Sequence, residues 1–375
     1  MDIRNRLLLV LMALSLMLGY DILVNSRHVV ATFFDSLVRP SPAPTLGWGI
    51  GEDAPFVRKE GSIAQEAAGV RRVVLRATGD ISIGSGTSQE VRLDYEVRTY
   101  GMSSRHVREY HDQVDVVARR DGEVLEIALV TPGPHRDVEG TRGRFILTVP
   151  QGLAIEIDSG FGDVDLHGVA AELLIRQRRG SVRVTDHRGP VEVDIAGGSV
   201  WLNRIQGDVV IRHTDGRTEA TLVDGGIDFT GGRSSVTVDR ASGRVKIQLE
   251  QGVAALYGVA GPAEIDAHMA RVTIVENEGS VAVRGRLSPV HVVRARGSIE
   301  VTSESANVDL ELPAEGRWQV DVQARPGRIL PSPTVAAALG QARPGDRLTA
   351  ALGQGSDERS VAVRISRGEV RLDLI

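Results

Sequence analysis

Between residues 155 and 310 the chain repeats one short pattern every nine positions: an apolar residue, any residue, and a second apolar residue. The first apolar position falls at Ile155, Val164, Leu173, Val182, Val191 and Val200 and continues in the same step to Val308; of eighteen positions only Thr218 is not aliphatic. Two residues on, the matching series from Ile157 to Leu310 is apolar throughout. Two residues before each unit stands a small residue, glycine in twelve cases, with Leu153 the one exception. Residues two apart on a strand point the same way, and a glycine suits a bend where a Cβ would be costly. A strand this short cannot bury its apolar face alone, so the pattern predicts stacked strands facing a second sheet across a thin core.

The outward positions set the stacking distance. Taken at every second unit, one series reads Asp158, Arg176, Asp194, Arg212, with acid and base alternating. Strands paired at that offset avoid placing like charges side by side. The expected fold is therefore all-β, a parallel β-solenoid of the β-helix or β-roll kind, with about 18 residues per turn from two nine-residue units. Eight to nine turns at strand spacing make a stack roughly 40 Å long.

The flanks follow other patterns. Residues 57–154 alternate apolar and polar positions in longer runs, with Asp121 and Gly122 reading as a hairpin turn, and form a strand-rich N-terminal part that starts the solenoid. The regular repeat occupies 155–312. In 313–375 a Pro/Gly/Ala-rich insertion, with a short helix expected around 335–339, precedes "SVAVRISRGEVRLDL", where Val361, Val363, Val370 and Leu372 restore the nine-residue step and are expected to close the stack.

The chain begins "MDIRNRLLLVLMALSLMLGYDILV", with Arg4 and Arg6 ahead of an apolar run. Residues 1–24 read as an N-terminal transmembrane helix, a membrane anchor or signal segment, and 25–56 as a Pro/Gly-rich linker. Positive charge before the run predicts a single-pass protein with a cytoplasmic N-terminus and an extracytoplasmic solenoid, its membrane partner reached through that helix.

Composition narrows the function. A net charge of −5 lacks the basic footprint of a nucleic-acid binder. The absence of cysteine excludes disulfides, thiolate zinc sites and a Cys nucleophile. With 42 glycines against 6 Phe, 3 Trp and 5 Tyr, the chain suits tight corners and a core of small residues.

Candidate chemistry is sparse. Asp163 and Asp165 in "GDVDL" fall at a bend and beside Arg183, unlike the clustered carboxylates of a β-helix hydrolase. "DGGIDFTGG" (224–232) lacks the spacing of calcium-binding nonapeptides. His106 and His111, with Glu109 between them, have the wrong separation for one helical face. Neither Gly84-Ser85-Gly86 nor Gly47-Trp48-Gly49-Ile50-Gly51 completes a phosphate-binding loop. No catalytic, cofactor-binding or metal-ligating residue is assigned, and no enzyme activity is expected. The candidate interaction surface is the outward face bearing Trp201, Asn203, Tyr257 and His291, where an indole beside an amide suits a sugar ring.

The serial "GSVRV", "GSVWL" and "GDVVI" units, the lead-in "RFILTVPQGLAIEIDSGFGDVDL" and the closing "GQGSDERSVAVRISRGEVRLDLI" resemble the bacterial putative-adhesin family of β-solenoid domains, over about 70–375. That resemblance implies an extracytoplasmic β-helix or β-roll without established chemistry. The expected function is a structural or adhesin-like surface interaction, with a cell-surface glycan or protein as partner and no nucleic acid. The alternatives are a carbohydrate-active β-helix enzyme, which requires paired acids on adjacent turns, and a self-assembling surface scaffold, which requires uncovered sheet ends.

Overall fold

The computed structural model describes residues 56–339, 345–354 and 358–375. The segment 1–24 read as a transmembrane helix lies outside the described residues, and among them no helix is long and apolar enough to cross a membrane. Among the described residues twenty-five strands join in one hydrogen-bonded sheet that mixes parallel and antiparallel pairs. The expected fold class, a parallel solenoid led by a transmembrane helix, is corrected accordingly. One antiparallel pair has a local cause, the tight turn at Asp121–Gly122 that joins Asp115–Asp121 to Val124–Val130; the others bring together strands separated by intervening elements, at both ends of the sheet.

The middle of the sheet is its most regular part. Leu173–Arg188, Val191–Gln206, Val209–Asp224, Ile227–Ala241 and Val245–Tyr257 each pair in parallel with the next, offset by two nine-position units, as in Val182↔Val200↔Thr218. Each strand holds two units rather than one. The backbone stays hydrogen-bonded through the first bend, where Gly180, Gly198 and Gly216 adopt φ of 133°, 129° and 144°. A Cβ on Gly198 would stand 1.9 Å from the Gly180 carbonyl oxygen, so the neighbouring turn leaves room for hydrogen alone. The second bend is built differently. Asp186, Arg204, Leu222 and Arg240, at the same step of two units, take left-handed conformations with φ of 55° to 60°. The small residues, expected to mark every bend, sit three positions after these.

Inward pairs such as Val182 with Val184 and Val200 with Leu202 are buried and merge into one continuous core. Its largest fully buried side chains are Phe145 in Val138–Pro150 and Trp318 in Arg317–Ala324, which plug the core near its ends, and Phe229 in the middle strand Ile227–Ala241. The Trp318 indole N–H donates to the Pro313 carbonyl at 2.9 Å, satisfying its one polar group.

Both ends are assembled out of chain order. At the first, Arg72–Ala77 lies between Ala154–Phe161 and Val124–Val130, and Gly79–Gly86 lies between Val164–His167 and Val138–Pro150. Antiparallel strands cover them, Asp115–Asp121 on one side and Glu90–Gly101, then Phe56–Glu66, on the other. At the second end the two-unit step gives way to a long jump along the chain, with Ile299↔Val361 and Val308↔Val370. The motif expected to close the stack is thus its penultimate layer. Arg317–Ala324 and Gly327–Pro331 lie beyond it, and Arg347–Leu352 adds an antiparallel edge. The physical reason is that the intervening segment carries its own apolar strand, with Val320 and Val322 buried, and that strand finds its place on the far side of the returning chain.

Two short helices complete the described fold. Pro333–Ala338 starts two residues before the stretch where a helix was expected and is capped by Ser332, whose hydroxyl accepts the Val335 N–H. Ser104–His111 was not expected. It buries Val107 and His111, and the His111 Nδ1 lies 2.7 Å from the Thr99 hydroxyl.

Candidate interaction face

The outward residues between the inward pairs form a ladder across one face: Arg183, Trp201, Glu219, Thr237, Ala255, Thr273 and His291 are lateral neighbours in turn. Trp201 is half-buried, because the Arg183 guanidinium lies over its ring at 5.3 Å from the centroid. Arg183 also approaches Asp165 at 3.5 Å, so an acid, a base and an indole form one run across three strands. A surface cation–π contact of this kind contributes about 0.5–1 kcal/mol. Asn203, two residues on, stands between Thr185 and Thr221.

The other two candidates are distant. Tyr257, exposed and flanked by Asp239 and Val275, is three strands from Trp201, about 14 Å. His291 is two strands further, with its Nε2 3.2 Å from a Glu311 carboxylate oxygen. Trp201 and Asn203 are brought together, and the four residues form a stripe of about 24 Å rather than a pocket.

The opposite face is occupied by its own charges. Arg212 meets Glu192, Arg244 meets Glu264, and Glu156 receives both Arg176 and, at 3.6 Å, Arg72. Within the repeat these partners lie one strand over and two positions along. The side-by-side alternation of Asp158 and Arg176 therefore missed the pairing, which is diagonal.

The remaining sequence candidates have structural employment. Asp163 accepts the Ser181 N–H at 3.0 Å. In 224–232, Asp224 accepts the Ser242 hydroxyl at 2.8 Å and Asp228 lies 4.0 Å from Lys246. The His106 ring lies 5.6 Å from that of His135, tilted by 51°, and its Nδ1 is 2.8 Å from an Asp137 carboxylate oxygen, a pairing that spacing alone did not foretell. No set of three His, Asp or Glu side chains among the described residues is arranged to hold a metal ion.

Comparison with known proteins returns no matching family model and no matching curated protein. Solved structures do match. A putative adhesin from Parabacteroides distasonis aligns at 11% identity and a TM-score of 0.34, over 85% of this chain and 98% of that one. Another, from Parabacteroides merdae, aligns at 11% and 0.30, over 85% and 97%. A putative lipid binding protein from Parabacteroides distasonis aligns at 8% and 0.35, over 84% and 96%. The chain is similar to bacterial putative adhesins over most of its length, the group it resembled by sequence.

Two buried groups were missed by sequence reasoning. His213 sits in a bend with its Nδ1 2.9 Å from the Thr218 hydroxyl, and this explains why Thr218 alone breaks the aliphatic series. His187 is fully buried, with the backbone of Ala171 and Pro190 beside its ring. Burial pushes both imidazoles below the usual histidine pKa. The polar exception at Thr218 was the one available signal for His213; His187 has none, since its equivalents one turn away are Val169 and Ile205.

Proposed function

We propose that the chain is a non-enzymatic, adhesin-like binding protein whose contact surface is the face carrying Trp201, Asn203, Tyr257 and His291, with a cell-surface glycan or protein as its partner. One observation carries this reading: the parallel register aligns these side chains in a stripe of about 24 Å, too long for a small ligand and suited to affinity distributed over several strands. Export from the cytoplasm is part of the proposal and rests on Arg4 and Arg6 standing ahead of the apolar run in 7–20.

The test is stepwise alanine replacement of the four residues, scored for binding to a glycan array and to intact bacterial and host cells, beside hydrolysis and elimination assays on a polysaccharide panel. Binding that declines in steps, with the largest step at Trp201, supports the reading. Turnover that survives chelation and is abolished by one carboxylate substitution overturns it.

A further inference from the structure

The ends of five laterally adjacent strands, Ala263–His268, Val281–Arg286, Ile299–Glu304, Glu358–Ser366 and Arg317–Ala324, border an open cleft of about 760 Å³. Along it the register sets Asp266, Arg284, Thr302, Arg364 and Gln323 side by side. None of its lining residues belongs to the Trp201 face.

The charge along the cleft marks it as a site for anions. Four arginines line it; Arg286 is 3.6 Å from Glu304 and Arg325 is 2.7 Å from Asp346, whereas Arg284 and Arg364 make no ion pair among the described residues. An exposed arginine without a partner is a standing donor for an oxyanion. Arg284, Thr302 and Arg364 share the outward side of adjacent strands, while Gly285, Ser303 and Ile365, one residue on, take the inward series. Asp266 stands at the outer edge beyond Arg284, and the two unpaired arginines flank Thr302, two strand spacings or about 10 Å apart.

We propose that this cleft binds an acidic oligosaccharide through two oxyanion groups about 10 Å apart, one on Arg284 and one on Arg364. The lining favours this class. It has no Phe, Tyr or Trp on which a nucleobase could stack, while a row of strand ends matches a linear polymer with regularly spaced charges. The site adds a ligand class to the surface-interaction reading and uses none of its residues.

The test is titration calorimetry on the full-length protein at low and high salt. The probes are a heparin-derived hexasaccharide, a galacturonate hexasaccharide, a neutral dextran hexasaccharide, and vesicles of equal parts phosphatidylcholine and phosphatidylglycerol. Binding of at least one acidic hexasaccharide and not of dextran is expected. It should weaken about tenfold or more in R284Q/R364Q, while the charge-matched surface pair R119Q/R178Q leaves it unchanged. Unaltered thermal melts are expected for both variants, since the arginines are exposed. The four-alanine variant of the Trp201 face should retain this binding, which separates failure of one site from failure of the other. The proposal is overturned if neither acidic hexasaccharide binds, if R119Q/R178Q weakens binding as much as R284Q/R364Q, or if only the vesicles bind.

Discussion

The middle of the sheet and its two ends are built by different rules from similar sequence. In 173–257 every strand pairs with the next one along the chain, so neighbours in sequence are neighbours in space. At the ends, strands with the same alternation of apolar and polar residues are inserted between distant partners, Arg72–Ala77 between Ala154–Phe161 and Val124–Val130, and Glu358–Ser366 between Ile299–Glu304 and Arg317–Ala324. Regular stacking needs only a local period, whereas termination needs edges covered: antiparallel strands finish the first end on both sides and the second on one, at Arg347–Leu352. The middle is thus limited by backbone clearance at its bends, and the ends by long-range closure.

The strongest way to break that contrast is at a bend glycine. Gly198→Val places side-chain carbons against the Gly180 carbonyl in a φ region that L-residues avoid, and is expected to cost about 4 kcal/mol or more, read from denaturant midpoints. Gly84→Ala, in Gly79–Gly86 near the first end, meets no atom within 4 Å and should change stability by less than about 0.5 kcal/mol. Equal costs at the two positions would show that clearance does not govern the middle.

Next in size is the aromatic plug. Trp318→Ala removes a fully buried indole and is expected to cost about 3 kcal/mol. The distribution of the effect matters as much as its size. Hydrogen exchange should quicken in 317–331 and 347–352 while 173–257 keeps its protection. Uniform loss of protection would mean that end and middle unfold as one unit.

How much of this was legible follows from the same contrast. The inward pairs, the bend glycines and the two-unit pairing offset are local consequences of a period, and Trp201 beside Asn203 follows from it directly. The left-handed corner at Asp186, Arg204, Leu222 and Arg240 has no common side-chain chemistry and left no mark. The order of layers at the second end depends on the jump from Ile299 to Val361, which no local pattern encodes, and the cleft went unseen with it, because Arg364 comes beside Thr302 only through that jump.

A smaller effect distinguishes the middle by its buried histidines. His187 and His213 lie there, and burial holds both imidazoles below the ordinary value of 6.5. The unfolded chain therefore takes up protons first as pH falls. Stability from these groups is complete above about pH 6.5 and declines below it, by at most about 1.4 kcal/mol per pH unit for each group. His187→Ile, which copies Ile205 one turn on, should leave stability at pH 7.5 equal or higher and reduce its decline towards pH 5.5 by about 1 kcal/mol. An unchanged decline, measured by urea unfolding at the two pH values, would remove His187 from the account.

The smallest effects concern surface ion pairs, and here middle and end should separate by location more than by magnitude. In the middle, Glu192→Gln removes the partner of Arg212, yet Asp194 and Asp228 remain near that guanidinium, so the loss should stay below about 0.5 kcal/mol. At the first end, Lys59 donates to Asp115 at 2.8 Å and to the Val114 carbonyl at 3.1 Å, joining the outermost strand Phe56–Glu66 to the edge strand Asp115–Asp121, two strands that share no ladder. The hydrogen bond from Lys59 holds the Asp115 carboxyl below its usual pKa, and the contribution of this contact is accordingly lost as pH falls through the acid range. Both groups are well exposed, so Lys59→Met should cost no more than about 1 kcal/mol, and less as salt rises from about 0.05 M to about 0.5 M. Its mark should be local: faster hydrogen exchange in 56–66 and 115–121 with 173–257 unchanged. Glu192→Gln should leave exchange unaltered everywhere, because each middle strand is held along its length by two neighbours, whereas Phe56–Glu66 has a ladder partner on one side only.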